Sequence, residues 1–176
     1  KDIAEYVAVC DVCQRVKAEH QKPTGLLQPL SISEWKWDKL GMDFMTGLPR
    51  TRSGYDSIWI VVDRLTEVAR FIPVKKTYTS ANLAKIYMTR TVCLHGVPRT
   101  TISDRGTQFT SKFWNHLHET LGTRLEFSTT FHPQTDGQTE RVNQILEDLL
   151  RACALDYGSS WDGNLPYAEF SYNNSY

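Results

Sequence analysis

What this 176-residue chain lacks excludes several classes of protein. It has only four cysteines, Cys10, Cys13, Cys93 and Cys153, too few and too unevenly placed for a disulfide framework, so a reducing intracellular compartment is expected. No apolar run approaches the length that spans a bilayer, and no signal-peptide pattern opens the chain. Repeats and low-complexity segments are missing as well. Twenty Lys and Arg balance twenty Asp and Glu, so bulk charge supplies no attraction to nucleic acid; basic groups that bind it must be local or lie outside this sequence. There is no initiator methionine, and the closing "YAEFSYNNSY" still has helical apolar spacing, so a fragment of a longer protein is expected.

What is present is an ordinary globular composition, 40% hydrophobic and 23% charged, enough for one filled core and a small appendage. Residues 2–19 carry Ile3, Val7 and Cys10 on one helical stripe and predict a short helix. Residues 21–34, with two prolines and a glycine, read as a linker. From Trp35 onward the pattern is three strands and then alternating helices and strands. "WDKLGMDFM" sets Met42 and Phe44 on one face and Asp43 and Met45 on the other. "SIWIVV" (57–62) is a continuous apolar run suited to a strand covered on both sides. "VARFIPV" (68–74) follows after a short turn, as an antiparallel neighbour. Ser80 can cap a helix running to about Leu94, closed by Gly96 and Pro98. "RTTIS" is a short strand leading to Asp104. Ser111 opens a helix with Phe113, Leu117 and Leu121 inward and Gly122 at its end, and "RLEFS" is a fifth strand. A long helix over 138–157 buries Val142, Ile145, Leu146, Leu149 and Cys153. A last helix carries Trp161, Leu165, Ala168 and Tyr172. The expected fold is α/β, a three-layer domain with a mixed five-stranded sheet flanked by helices and a short N-terminal helical segment.

Three acids stand out. Asp43 lies between Met42 and Phe44, where a charge is costly unless paired or bound to metal; a place on the solvent face of an edge strand also explains it. Asp104 ends a strand before Arg105 and Gly106, as an Asx-turn residue or as a ligand at a strand end. Glu140 lies in the first turn of the long helix, where the macrodipole favours negative charge, with Asp136 the better N-cap. Asp63 competes but faces the turn "DRLTE", and Glu147 competes but has Arg151 one turn on. Taken together, carboxylates from two strands and an adjacent helix can converge. Three hard oxygen donors without His or Cys suit Mg²⁺ or Mn²⁺ rather than Zn²⁺. Two such ions about 4 Å apart can activate an attacking oxygen and stabilise a leaving one in phosphoryl transfer.

"GMDF", "ISDRGTQFTS" and "HPQTDGQTERVNQ" resemble the D,D-35-E core of retroviral and retrotransposon integrases, and 35 residues lie between Asp104 and Glu140. With "GLP", "VVDRLT", "FIP" and "HGVP", the chain from Trp35 to Tyr176 most resembles the Ty3/Gypsy class of retrotransposons. The resemblance implies an RNase H-like fold and an integrase catalytic core over 35–176. It implies trimming of the 3′ ends of element DNA and their joining to target DNA, without a covalent enzyme intermediate. Asp43, Asp104 and Glu140 would then hold Mg²⁺ or Mn²⁺.

Residues 1–20 resemble the end of the family's His-His-Cys-Cys zinc module, with Cys10 and Cys13 as half a Zn²⁺ site. No histidine precedes Cys10, and His20 lies downstream, off the motif; zinc therefore requires histidines this sequence lacks. Two buried helical cysteines remain the alternative. The implied DNA contacts are the loop 130–138 with Gln134 and Asp136, then Asn143 and Gln144, and Arg105 and Lys112 beside Asp104. His132 is a candidate for proton transfer or a structural loop residue. The implied partners are double-stranded element-end and target DNA and further copies of the chain, a dimer or higher, acting in the nucleus. Rival readings are an RNase H-type nuclease on hybrids and a noncatalytic interaction module.

Overall fold

The computed structural model describes residues 2–16, 34–127, 137–157 and 160–175. Five strands form one mixed sheet in the order β3-β2-β1-β4-β5. They are β1 Lys39–Met45, β2 Ser57–Asp63, β3 Ala69–Val74, β4 Thr100–Ser103 and β5 Arg124–Phe127. The first three meander antiparallel. β4 and β5 add parallel to β1, because their connections are long enough to carry crossover helices.

Helices cover both faces. On one side, α3 Ser80–Tyr87 and α5 Lys112–Leu121 bury Leu40, Met42, Trp59 and Val61 together with Phe109 and Trp114. On the other, α6 Gly137–Tyr157 and α7 Trp161–Asn173 cover Ile58, Ile60, Val62 and Phe71 with Val142, Leu146, Leu165, Ala168 and Tyr172. β2 is buried along its whole length, as a continuous apolar run between two helical layers must be. Strand alternation puts Gly41, Asp43 and Met45 on the face that α6 covers.

The structure departs from the sequence expectations at four places. The N-terminal helix is two short ones, α1 Asp2–Val9 and α2 Asp11–Val16, meeting at Cys10, where Gln14 Nε2 donates to the Val7 carbonyl at 2.7 Å. Thr79, not Ser80, caps α3 through a reciprocal capping box with Asn82. Ser80 instead donates to Ser111 Oγ at 2.9 Å and ties the starts of α3 and α5 together. After Tyr87 the helix widens into a π turn, Met88–Val92, and a single turn α4, Cys93–His95, before Gly96 closes it at φ 90°. Phe113 is 50% exposed; the next residue, Trp114, takes the buried position. The Ser111 cap sets the helix phase, and one residue rotates a side chain by about 100° around the axis. The expected linker, 21–34, lies outside the described residues except for Glu34.

Trp114 joins Trp59, Tyr87, Phe109 and His118 in one aromatic cluster. His118 is fully buried, with Nδ1 3.1 Å from the Trp114 carbonyl. Burial holds its pKa below the ordinary value, against the opposing pull of that carbonyl. The unfolded chain therefore takes up this proton first. Stability is unaffected above the unfolded pKa of about 6.5 and is lost as pH falls below it, until the lower folded pKa is passed. Urea unfolding at pH 7.5 and 5.5 is expected to show this loss, and His118→Phe, which keeps the ring, is expected to reduce it. His95 is depressed as well, by burial and Arg70, and retains part of the slope.

Candidate functional site

Parallel pairing of β1 with β4 creates the site. Met42 pairs with Ser103, the last residue of β4, so the register carried one residue further sets Asp104 beside Asp43. Both carboxylates are half-buried. Asp43 Oδ1 accepts from the Phe44 amide at 2.7 Å. Its Oδ2 accepts from Asn143 Nδ2 of α6 at 2.5 Å. Asp104 Oδ1 accepts from the Gly106 amide at 3.0 Å. An Asx-type turn and a position at the end of a strand thus coexist in one residue. A Cβ at position 106 would lie 2.9 Å from that same oxygen, so glycine is what lets the turn close over the carboxylate.

The start of α6 is brought to the same place by a second close approach. Gly41 faces α6, and a Cβ there would lie 2.5 Å from Thr139 Oγ1. Thr139 is buried. The missing side chain on β1 lets the first turn of α6 sit directly on the strand. Glu140 follows Thr139 and lies one turn before Asn143, the residue that binds Asp43. The Glu140 carboxylate lies outside the described side chains; its backbone is in the turn that touches β1.

Asn143, expected above only as a DNA contact on the polar side of the long helix, is half-buried against Asp43. Its Oδ1 is buried and has no hydrogen-bond partner among the described residues. An orphaned acceptor beside a carboxylate is costly unless a donor or cation meets it. That atom and two neighbouring carboxylates form a hard-oxygen donor set that fits Mg²⁺ or Mn²⁺ and does not fit Zn²⁺.

The other candidates are distributed as follows. Arg105, Lys112 and Gln144 are exposed. Gln134, Asp136 and His132, with the loop 130–136, lie outside the described residues. Cys10 and Cys13 are half-buried, at the junction of α1 and α2 and within α2, and among the described residues no three His, Cys, Asp or Glu side chains form a metal-holding group. Glu147 pairs with Arg151 at 2.8 Å, as expected from their spacing. Asp63 is fully buried, and its oxygens accept from the amides of Trp37, Leu65 and Thr66 and from Thr66 Oγ1. These bonds make it a structural acid that folds the β2–β3 turn. Asp63→Asn is expected to cost about 1–2 kcal/mol in urea unfolding, since an amide cannot accept at both atoms, and to leave activity per folded molecule unchanged.

No family model matches the chain. Over 175 residues, 99% of its length, it is 39% identical to the Transposon Tf2-3 and Tf2-4 polyproteins of Schizosaccharomyces pombe (strain 972 / ATCC 24843), and it spans 13% of each. Among solved structures, it is similar to a simian T-cell lymphotropic virus intasome in complex with the PP2A regulatory subunit B56 gamma. That likeness has a TM-score of 0.67 at 20% identity, over 97% of this chain and 59% of the other. The HTLV-2 integrase catalytic core domain in complex with magnesium (dimeric form) matches with a TM-score of 0.61 at 18% identity, over 78% of this chain and 87% of that one. The catalytic core domain of BIV integrase matches at 0.60 and 21%, over 77% and 82%. At these identities the likeness establishes the fold, the RNase H-like arrangement expected above.

Proposed function

We propose that the chain is the integrase catalytic core of a Ty3/Gypsy-type retrotransposon polyprotein, and that it trims the 3′ ends of element DNA and joins them to target DNA. One observation carries this reading. The β1–β4 register sets Asp43 beside Asp104, while the Gly41–Thr139 contact seats the Glu140 turn of α6 on the same strand. Asp43 and Asp104, far apart in the chain, are thus neighbours at that end of the sheet, and the backbone of the Glu140 turn is seated on the same strand.

Asp43, Asp104 and Glu140 would hold Mg²⁺ or Mn²⁺. A related core domain is described in complex with magnesium. When bound, two divalent ions activate the attacking oxygen, first of water and then of the 3′ end, and stabilise the departing one. The chain's own part is positional. The Phe44 amide and Asn143 hold the Asp43 carboxylate in one orientation. The Gly106 amide does the same for Asp104. Pre-oriented ligands leave less reorganisation for the transition state.

Residues 35–176 would form this core, 21–34 a linker and 1–20 the end of a zinc module, with Cys10 and Cys13 binding Zn²⁺ only where upstream histidines are supplied. Gln134, Asp136, Asn143, Gln144, Arg105 and Lys112 would contact DNA. A homo-oligomer acting in the nucleus is part of the same reading; related cores are described in dimeric and trimeric forms.

The rival within the same fold is a hybrid nuclease. With Mg²⁺ or Mn²⁺, the chain is expected to nick and join duplex DNA carrying element ends. Cleavage of an RNA–DNA hybrid alone, with no action on that duplex, would overturn the proposal.

A further inference from the structure

β3 and β1 run in the same direction, both antiparallel to β2, so the exits of β1, β3 and β4 share the end of the sheet that carries Asp43 and Asp104. Four cations lie in the segments at that end. Arg50 and Arg52 lie in the β1–β2 loop, and Lys75 and Lys76 follow β3. A point one Cβ out from Gly54 lies 3.2 Å from Lys75 Nζ and 3.6 Å from Arg50 Nη2, so two positive groups converge over this glycine. Lys75 Nζ also stands 5.8 Å above the Tyr55 ring. Among the described residues, none of the four cations forms an ion pair.

The acids close by are engaged otherwise. Asp56 Oδ1 accepts from the Lys76 amide at 2.7 Å and from Ser57 Oγ at 3.2 Å. Asp162 Oδ1 accepts from Ser160 Oγ at 2.6 Å and from the Gly163 amide at 3.1 Å.

The loop is pre-formed. Thr51 is buried; its amide donates to the Tyr55 carbonyl at 2.8 Å, and its Oγ1 accepts from the Tyr55 amide at 3.1 Å. Trp161 Nε1 anchors Pro49 from α7 at 2.7 Å. Like charges brought close, with no ion pair among the described residues, repel one another unless an anion sits across them. At the same end of the sheet, Lys75 and Lys76 line a small cleft with Phe44, Thr46 and Gln108, and Gln108 lies in the segment that follows Asp104. β3 and β1 are two strand spacings apart, about 10 Å, which is roughly three nucleotides of rise along one DNA strand.

We propose that Arg50, Arg52, Lys75 and Lys76 form a phosphate platform that grips the backbone of duplex DNA about three nucleotides from the carboxylates. This rests on the DNA-joining reading above and names how a chain of zero net charge holds its substrate: by a dipolar arrangement with one basic pole. The contacts are with backbone, so they position the duplex without reading its sequence.

The test is fluorescence anisotropy in EDTA, with one labelled element-end duplex and one unrelated duplex. Arg50→Gln/Lys75→Gln is compared with Arg99→Gln/Arg124→Gln, a pair that removes equal charge at the opposite end of β4 and β5. The first pair is expected to weaken binding at least about tenfold near 0.1 M salt and to flatten the slope of log affinity against log salt by about 2, roughly 0.9 per lost phosphate contact. A loss on either duplex beyond that of the control pair supports the platform and shows which DNA it grips. Arg50→Lys/Lys75→Arg is expected to restore the slope. Equal losses in both pairs, or no loss on either duplex, would overturn it. Binding without metal is independent of strand joining. A chain that joins DNA yet binds it regardless of the first pair defeats the platform alone, and one that binds through the platform yet joins nothing defeats the catalytic reading alone.

Discussion

Replacing Asp43 by Asn, or Glu140 by Gln, is expected to lower metal-dependent DNA joining by roughly 10³-fold or more, equivalent to about 4 kcal/mol of transition-state stabilisation, while the fold persists. Each change is isosteric and removes one negative charge. Asp43→Asn keeps an oxygen for the Phe44 amide, and a flip of the Asn143 side chain turns its unpartnered Oδ1 toward the new amide nitrogen, so the contact between β1 and α6 survives, a compensation that Asp63, bonded mostly to backbone amides, lacks. Without metal, Asp43 and Asp104 are like charges on adjacent strands, and neutralising one relieves their repulsion. Thermal unfolding in EDTA is therefore expected to show Asp43→Asn at least as stable as the parent chain. In Mg²⁺ the parent gains stability by an amount that grows with the logarithm of concentration, and the variant does not. A structural acid behaves in the opposite way, as Asp63 is expected to.

The second large effect concerns a residue with no side chain. Gly41→Ala places a Cβ 2.5 Å from Thr139 Oγ1, closer than packed atoms tolerate. Thr139 is buried and β-branched, so it has little freedom to rotate away. Either it leaves its rotamer or the first turn of α6 lifts from β1. The cost is expected to be about 1–2 kcal/mol, within the usual range for overpacking and reduced by the better strand propensity of alanine. Activity is expected to fall further than stability implies, about 10²-fold, because a displacement of about 1 Å at Glu140 misplaces a ligand. Thr139→Ala supplies the rescue. The clashing oxygen goes, and the remaining Cβ lies 3.8 Å from the new one, an ordinary contact. Strand-joining rates and urea midpoints for both single variants and the double variant measure this coupling; failure of the double variant to recover would remove the close approach from the account.

The meander, the crossover helices and the placing of Asp43 within a strand and of Asp104 at a strand end were legible in the sequence because each rests on local pattern. A run such as "SIWIVV" can only be covered on both sides, and Asp104 follows its strand directly. Other features depend on partners far along the chain. Asn143 occupies a polar helical stripe by periodicity, and nothing local shows that this stripe meets a carboxylate instead of water. Phe113 and Trp114 differ by one residue, and which of them is buried follows from how the Ser111 cap phases α5. Thr79 and Ser80 are both competent caps; the hydroxyl of Ser111 decides between them by engaging Ser80. The basic pole was hidden for a similar reason. Arg50 and Lys75 are separated by two strands, and only the β1–β2–β3 register returns them to one end of the sheet.

Anomalous scattering from crystals soaked in Mn²⁺ is expected to show an ion bridging the carboxylates of Asp43 and Asp104, on the α6 side of the β1–β4 pair. An ion held by only one of them, or by other acids while these two face apart, would contradict it.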